Sequence, residues 1–367
     1  MPSVDTAAVA TRVRRAPTTY SRIRYANNLA SQAFPAVLIG VLILMVVIVA
    51  IQDGTTTAVS ELRNGLTIGA IYALIAVGYT MVYGIIELIN FAHGDVFTLS
   101  AFYAILFTRL LDRMGFSLDD LATLHGVPGF VATMVILLPA TMLAAGITGM
   151  LIERIAYRRL RNSPRLAPLI TAIGVSFLIE GVMFADFGSA NVRTGKENWI
   201  RGNAFTIGGV TVSWKDVFVV AAALGLMFAL QAFVRYTRLG KAMRATAQDR
   251  DAALLSGINI NRTIAATFFI GSALAAAGAI IFSIKDDIVV WNLGFRFGII
   301  AFTCAVLGGI GNIVGAGMGG FLVGVIAVFG AQLVGSAWDN SIIFAMLIIV
   351  LTFRPVGLLG MRVADRA

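Results

Sequence analysis

Long stretches without charged residues alternate along this chain with shorter segments that carry most of its charge. The first such stretch, residues 34–52, is long enough to cross the roughly 30 Å hydrocarbon core of a bilayer as an α-helix. Later stretches of similar length predict further spans. Their approximate ranges are 64–89, 95–111, 128–152, 166–187, 217–234 and 263–284, then two within 297–338 and a last segment at 341–353. The pattern therefore predicts an all-α, polytopic transmembrane helix bundle of about 8–10 membrane segments with broken helices.

The segment before the first span is polar and rich in arginine. We expect residues 1–33 to form a basic, cytoplasmic N-terminal extension that lies against anionic membrane lipid. A cleaved signal peptide is the alternative, because a basic region precedes an apolar one. Signal peptides have apolar cores of about 7–15 residues followed by a small-residue cleavage site, so a retained first helix is favoured.

The basic residues indicate how the chain is oriented in the membrane. Lys and Arg accumulate in short cytoplasmic loops, and nineteen of the twenty-eight fall in the segments that are cytoplasmic if the N-terminus is. We therefore expect both termini in the cytoplasm and a long outer segment at 188–214. The predicted division is a membrane domain at 34–354, which contains a cytoplasmic loop at 235–262, and a cytoplasmic C-terminal tail at 355–367.

The composition agrees with a membrane protein and excludes several other classes. Hydrophobic residues make up 58% of the chain and charged residues 13%, far from the values of soluble domains. The net charge of +9 resides in loops between apolar spans, so we expect no nucleic-acid partner. Cys304, His93 and His125 are too few and too separated for a disulfide or a metal site. The sequence has no P-loop and no catalytic constellation, so we expect no enzyme and no cofactor.

Two places interrupt the apolar pattern and are candidates for a substrate path. The first is NFAHGD, which brings together Asn90, His93, Gly94 and Asp95. Irregular backbone at membrane depth requires protein or a watery cavity to satisfy its polar groups, and the first turn of a broken helix can face a charged substrate. The alternative is a short cytoplasmic turn in which Asp95 is a solvated helix cap.

The second interruption is a glycine-rich stretch at residues 308–320. Gly311, Gly315 and Gly319 recur every four residues, a spacing that allows helix backbones to approach closely in lipid. Helix packing is favoured over substrate contact for these glycines. Asn312 is one of the few polar groups of an otherwise apolar path, so we include it among the candidate substrate contacts.

The loop at 235–262 is the one long charged segment between spans. Within it, residues 241–256 predict a helix that Gly257 ends, with Leu254 and Leu255 as apolar anchors. Such a helix is a candidate docking surface, which favours a permease powered by a separate ATPase over a channel. A secondary transporter is disfavoured because the deep spans contain almost no ionisable residues, with Glu87 and Glu180 near predicted ends.

Four segments resemble one known family. They are GLTIGAIYALIAVGYTMVYGIIELINFAHGDVF (65–97), RDAALLSGIN (250–259), AVLGGIGNIVGAGMGGFLVG (305–324) and FRPVGLLG (353–360). In this order they resemble the permease subunits of high-affinity branched-chain amino acid ABC importers. The resemblance implies an inner-membrane transport subunit with a second permease of the family, two cytoplasmic ATPases and an extracytoplasmic substrate-binding protein as partners.

The same resemblance implies a role for the loop. Asp251, Ala252, Ala253 and Gly257 match the family's E-A-A-x-x-x-G motif, through which the permease contacts its ATPase. Asp251 replaces the usual glutamate, which keeps the charge and shortens the side chain by one methylene. The substrate stays open at this stage, because relatives in the family carry branched-chain amino acids, urea, short amides or other amino acids. Whether the permease pairs with itself or with a second protein also stays open.

Overall fold

The computed structural model describes the backbone of residues 19–161, 163–164 and 166–360, and side chains from residue 32 onward. Most of the predicted N-terminal extension and the last seven residues of the tail lie outside this description. The boundaries of these two segments therefore stay predictions.

Thirteen α-helices form the described part of the chain, and nine helical segments are long and apolar enough to cross a membrane. A tenth, shorter apolar helix lies among them, so the predicted helical membrane bundle is confirmed. The helices are α1 (Thr19–Gln52), α2 (Thr55–Ile86), α3 (Ala92–Arg113), α4 (Leu118–Leu124), α5 (Gly126–Ile152), α6 (Leu166–Phe187), α7 (Trp214–Tyr236), α8 (Arg238–Gln248), α9 (Arg250–Leu255), α10 (Ile260–Lys285), α11 (Leu293–Gly308), α12 (Ile313–Val334) and α13 (Asp339–Phe353).

The predicted start of the second span is wrong by more than two turns. Charged Glu61 and Arg63 favoured a loop before residue 64, whereas α2 already begins at Thr55. Arg63 donates a hydrogen bond to the carbonyl oxygen of Thr211 at 2.6 Å and lies 4.0 Å from the carboxylate of Asp216. Arg63 thus finds polar partners near the N-terminal end of a helix that extends beyond the apolar region.

The centre of the bundle consists of α2 and α10, which pack against each other, with α11 and α12 packed against α2. Glycines on two faces of α12 allow this packing: one face meets α11 and the other meets α2. A Cβ at Gly319 would collide with the carbonyl of Cys304, and one at Gly324 would collide with the backbone of Gly69. In lipid, such small residues are what allow helices to come into van der Waals contact.

Around this centre, α5, α6, α7 and α13 carry apolar side chains that are exposed in the isolated chain. Their outward faces include Leu143, Phe177, Phe228 and Ile348. Because these helices are long enough to span a bilayer, we assign the exposed apolar faces to contact with lipid or with another membrane subunit.

The predicted outer segment between α6 and α7 contains three short strands, and a fourth strand lies between α10 and α11; the sequence pattern predicted none of them. Strand β1 (Val192–Arg193) pairs with β4 (Ile288–Val289), and β2 (Asn203–Ile207) forms a hairpin with β3 (Val210–Ser213).

Thr194 attaches this segment to the end of α10. Its N–H donates to the carbonyl oxygen of Asp287 at 2.8 Å, and its hydroxyl donates to that of Ser283 at 3.2 Å. Lys196 is fully buried nearby and donates to the carbonyl oxygen of Thr194 at 3.2 Å. Burial lowers the pKa of Lys196 to about 8, although the carboxylates of Asp119 and Asp287 favour its charged form. The segment is therefore docked on the bundle.

Candidate functional site

The helix that begins within NFAHGD starts inside the bundle. The preceding helix, α2, ends at the surface with Glu87, which is exposed and adopts the left-handed conformation with φ 55°. The chain then returns inward without helical structure through Asn90, which is buried, before α3 begins at Ala92. We refer to residues 87–91 as the return segment.

Contacts place the start of α3 near the middle of the membrane. The imidazole of His93 packs on Gly78, about two turns before α2 ends, and Gly78 in turn packs on Gly271 near the midpoint of α10. Independently, Asp95 accepts a short hydrogen bond from the hydroxyl of Ser176, which lies near the midpoint of α6. Both neighbours belong to helices long enough to cross a bilayer.

Asp95 also lies beside the first turn of α11. A Cβ at Gly294 would collide with the Asp95 carboxylate, and a Cβ at Gly94 would collide with the carbonyl oxygen of Gly294. Glycine at both positions therefore brings the carboxylate against the N-terminal end of α11. Free N–H groups and the helix dipole favour negative charge at such an end.

Four polar atoms at this level have no hydrogen-bond partner among the described residues. They are the Tyr79 hydroxyl, His93 Nε2, Asp95 Oδ1 and the Thr98 hydroxyl. All four side chains are buried, and the rings of Tyr79 and His93 meet edge to face with centroids 5.7 Å apart. Buried polar groups normally have partners, so this cluster is a candidate contact for a polar substrate or for water. The alternative of a solvated cytoplasmic turn is wrong, because Asp95 is fully buried.

A second acidic residue lies next to the cluster. Glu180 follows Ser176 by one helical turn on α6, is largely buried, and interacts electrostatically with Asp95. The sequence predicted almost no ionisable residues in the deep spans, and Asp95 on α3 and Glu180 on α6 are two that lie buried and close together. The absence of such residues no longer argues against a secondary transporter, and the choice between transporter classes depends on other observations.

Asn312 and Gly311 do not join this cluster. Asn312 caps α12 by accepting from the Gly315 N–H at 3.0 Å, and its amide donates to the carbonyl of Leu359 at 2.9 Å. Gly311 lies in the turn before α12 with φ 88°, and its N–H donates to the Thr80 hydroxyl at 2.9 Å. Both residues therefore connect structural elements near the end of α11.

The loop between α7 and α10 folds as two helices, and the prediction of one continuous helix at 241–256 is wrong. Asp249 separates them in an extended conformation, and its carboxylate accepts from the N–H groups of Asp251 and Ala252 at 2.9 and 3.1 Å. Aspartate is a favoured helix N-cap, so it ends α8 and begins α9.

The four residues of the coupling motif lie on and directly after α9. Ala253 is buried, whereas Asp251 and Ala252 are exposed. Gly257 has φ 80°, and the N–H groups of Gly257 and Ile258 donate back to Leu254 and Ala253, which forms a Schellman cap.

Leu254 and Leu255 were predicted to be apolar anchors, and that prediction is wrong. They are 60% and 90% exposed. Exposed apolar side chains beside the motif make this surface a candidate for binding another protein.

Two side chains contact the chain at or next to the return segment, the first from this loop and the second from the end of α5. The guanidinium of Arg250, at the start of α9, donates to the carbonyl oxygens of Ile85 and Ile86 at 3.1 and 2.9 Å. A cation at a helix C-terminus satisfies carbonyls that have no partner within the helix. The exposed motif is thereby attached to the end of α2, immediately before the return segment.

The second connection comes from the end of α5, where a π-helical turn at Glu153–Tyr157 follows the α-helix. The Tyr157 hydroxyl donates to Asn90 Oδ1 at 3.1 Å and lies 3.4 Å from the carbonyl of Ile89. Asn90 is thus bound by a neighbouring helix, which accounts for its burial.

Sequence reasoning missed Ser176, Glu180, Tyr157 and Arg250 as members of these two sites. Glu180 could have been found, because an acidic residue within an apolar span is a functional candidate by itself. Ser176 and Tyr157 carry no such signal, because both are ordinary residues of helices and their roles depend on helices distant in sequence.

Comparison with known proteins adds independent findings. The family described as branched-chain amino acid transport system, permease component, matches residues 62–351. The high-affinity branched-chain amino acid transport system permease protein BraD of Pseudomonas aeruginosa is 42% identical over 303 residues, which cover 82% of this chain and 95% of BraD. The corresponding permease protein LivH of Escherichia coli K12 is 39% identical over 303 residues, with 82% and 94% covered.

A weaker similarity extends to sugar import. The galactose/methyl galactoside import permease protein MglC of Escherichia coli K12 is 25% identical over 292 residues, which cover 78% of this chain and 82% of MglC. No solved structure matches the chain.

Proposed function

The chain belongs to the family of branched-chain amino acid transport permeases, and we propose that it forms, with a second permease, the membrane path of an ATP-binding cassette importer for branched-chain amino acids. The observation that carries this proposal is the 42% identity with a permease named for that transport, over nearly the whole length of the relative. We place the protein in the cell inner membrane as a multi-pass subunit with both termini in the cytoplasm.

The proposed partners follow from this class of importer. They are a second permease of the same family, two cytoplasmic ATPases that hydrolyse ATP, and an extracytoplasmic binding protein that delivers substrate. The exposed pair Leu254 and Leu255, beside Asp251, supports α9 as the surface that contacts an ATPase. The ATPase-coupling residues are Asp251, Ala252, Ala253 and Gly257.

The cluster at the start of α3 supports a zwitterionic substrate. Asp95 is buried without a basic side chain as ion-pair partner in the described part of the chain, and its Oδ1 has no donor there. A carboxylate at membrane depth is costly unless a cation neutralises it, and the ammonium group of an amino acid would do so during passage. Asn90, His93 and Gly94 position this carboxylate, and urea or a sugar offers no such cation.

The proposed mechanism connects the two sites. ATP binding in the partner subunits moves α9, Arg250 transmits this movement to the end of α2, and the return segment shifts the start of α3. For this to produce transport, the docking free energy of α9 must differ between the outward-facing and inward-facing states.

The test begins with a tagged copy of the protein, purified from its own membranes in mild detergent with its associated subunits identified by mass spectrometry. We expect two ATPases and a second permease. The complex is then reconstituted with the binding protein in ATP-loaded proteoliposomes, and uptake of labelled leucine is measured in competition with isoleucine, valine, urea and galactose.

Competition by isoleucine and valine alone supports the proposal. Competition by urea or galactose instead would contradict the assignment of branched-chain amino acids as substrate. Uptake that persists without ATP would contradict the assignment to ATP-driven importers. Asp95→Asn retains a polar partner for Ser176 and removes the charge, and we expect it to reduce leucine uptake about tenfold or more, the loss of one charged contact. Ser189→Ala, at an exposed outer position, is the control.

A further inference from the structure

A cavity of about 480 Å³ opens at the outer face between α2, α10, α11 and the start of α13. Its apolar lining includes Ile68, Ile71, Phe282 and Phe297. A neighbouring cavity of about 520 Å³ shares Ile68 with the first. Both volumes are in the range of small-molecule sites, and both exceed what one amino acid requires.

An ion pair between Arg296 and Asp339 lies in the wall that the two cavities share. It connects the first turn of α11 to the first residue of α13. The two side chains are 45% and 22% exposed. Ion pairs that water can reach contribute little to stability, so a competing ligand can replace this one at low cost.

Two further charged residues line the cavity, and neither is paired with Arg296. The ammonium of Lys285 is held by the Asp216 carboxylate at 2.8 Å, with Ser213 bound to the other oxygen of Asp216. Asp286 is exposed and receives a contact from the Ile288 amide at 3.4 Å, so the pair of Arg296 and Asp339 is where opposite charges of this wall meet.

A branched-chain amino acid provides each group that this wall can bind. Its carboxylate fits the planar fork of the Arg296 guanidinium, and its ammonium group fits Asp339. Its aliphatic side chain fits the apolar lining. A zwitterion therefore replaces both halves of the ion pair at once, whereas an amine or a carboxylic acid replaces one half and leaves the other charge without its partner.

The cavity leads toward the start of α3. Phe297 in its lining stacks on Phe97, with ring centroids 4.9 Å apart and planes inclined by 25°. Phe97 follows Asp95 by two residues, and Tyr72 meets Phe297 edge to face at 5.8 Å. These rings pack the cavity lining against α3, and Gly294, at the start of α11, meets the Asp95 carboxylate.

We propose that this outer cavity is a receiving site for the zwitterionic amino acid, in which Arg296 binds the carboxylate and Asp339 binds the ammonium group once their ion pair opens. The inference rests on the proposed function, since it assumes an amino acid as substrate. It adds a site that precedes Asp95 on the path.

The test measures equilibrium binding of labelled leucine to the complete permease and ATPase complex in lipid nanodiscs, without ATP and without the binding protein. Two competitors each carry one of the two charged groups of leucine. The amine 3-methylbutylamine lacks the carboxylate, and 4-methylpentanoate lacks the ammonium group. Arg296→Gln and Asp339→Asn are compared with wild type, and Arg201→Gln, an exposed outer arginine away from the cavity, is the control.

We expect each cavity variant to weaken leucine binding about tenfold, the loss of one charged contact. Arg296→Gln should abolish competition by 4-methylpentanoate and retain competition by 3-methylbutylamine, and Asp339→Asn should do the reverse. A pair with only a structural role cannot produce this reciprocal pattern, because its loss would affect both competitors alike.

Three results would overturn the inference: equal loss of both competitors in each variant, unchanged leucine binding in both variants, or no leucine binding by the wild-type complex at millimolar concentration. Each is compared with ATP-driven leucine uptake by the complete importer with its binding protein. Uptake that is intact in wild type, together with any of these results, contradicts only the receiving site, whereas loss of uptake contradicts the proposed function itself.

Discussion

Gly94 and Gly257 show how differently the two functional regions of this permease use the same residue. Gly94 lies in helical backbone at the start of α3, where any side chain would collide with the carbonyl of Gly294 and with Gly298. Gly257 lies after α9 with φ 80°, and a Cβ there would meet nothing within 4 Å. The first glycine is required for space and the second for backbone conformation.

This difference distinguishes a packed site from a docking surface. At the start of α3, helices approach so closely that polar groups such as Asp95 are enclosed. At α9, the chain turns sharply and leaves Leu254 and Leu255 uncovered for a partner. Substitutions in the first region should therefore affect stability and transport together, and those in the second should affect transport alone.

The largest effect is expected for Gly94→Ala. Its methyl group would force the α3 and α11 backbones apart, and overpacking of this kind costs about 1–3 kcal/mol. We expect a lower thermal unfolding midpoint of the purified complex and a loss of leucine uptake of about tenfold or more.

The matched control is Gly174→Ala on α6, where a Cβ meets nothing within 4 Å. Alanine favours a helix over glycine, so this variant should be as stable as wild type or more stable. If Gly94→Ala behaved like Gly174→Ala, the close approach of α3 to α11 would be required neither for stability nor for transport.

Arg250→Gln should give the next largest effect. It removes charged hydrogen bonds to the last carbonyls of α2, and such bonds contribute about 1.5–3 kcal/mol. We expect folded complex, continued ATP hydrolysis, and about tenfold less leucine taken up per ATP hydrolysed. Lys241→Gln, which changes an exposed side chain on α8, is the control. If Arg250→Gln left the ratio of leucine uptake to ATP hydrolysis unchanged, Arg250 would have no role in coupling.

Gly257→Val tests the docking region through backbone conformation. A β-branched residue at positive φ costs about 1–2 kcal/mol, while asparagine tolerates this conformation far better. We expect Gly257→Val to remain folded in the membrane and to lose coupling several-fold, and Gly257→Asn to stay close to wild type. Normal uptake by Gly257→Val would contradict the coupling assignment, and equal losses in both variants would contradict the conformational explanation.

The sequence predicted the class of fold well because membrane spans depend on local composition. Uncharged runs of sufficient length predicted the positions of most helices. The predicted ends were wrong where a helix contains charged residues, as at Arg63 in the N-terminal turns of α2. The break at Asp249 was missed because the surrounding residues all favour a helix, and the capping role of a single carboxylate was not weighed against them.

The sites were predictable only in part. NFAHGD was found because it interrupts an apolar pattern, and the burial of Asp95 then ruled out the solvated turn. Its partner Ser176 and the link through Tyr157 depend on which helices become neighbours, which local pattern does not specify. Asn312 caps α12 and lies apart from the buried cluster, and its assignment to the substrate path stays a prediction.

The smallest effect is expected for Tyr157→Phe, which changes the contact between the end of α5 and the return segment. It removes a neutral hydrogen bond to Asn90, worth about 0.5–1.5 kcal/mol, so uptake should fall about threefold with little change in stability. Tyr103→Phe is the control, since its hydroxyl lies 3.0 Å from that of Thr148 between α3 and α5, away from the return segment.

The double variant Tyr157→Phe with Arg250→Gln decides whether these side chains act through one element. If both hold the return segment in position for α3, the loss of uptake in the double variant should be smaller than the product of the two single losses, because the second substitution acts on a segment already released. Losses that multiply would instead mean that Arg250 transmits its effect along α2, and that the extended segment beside Asn90 is not the connection between ATPase and substrate.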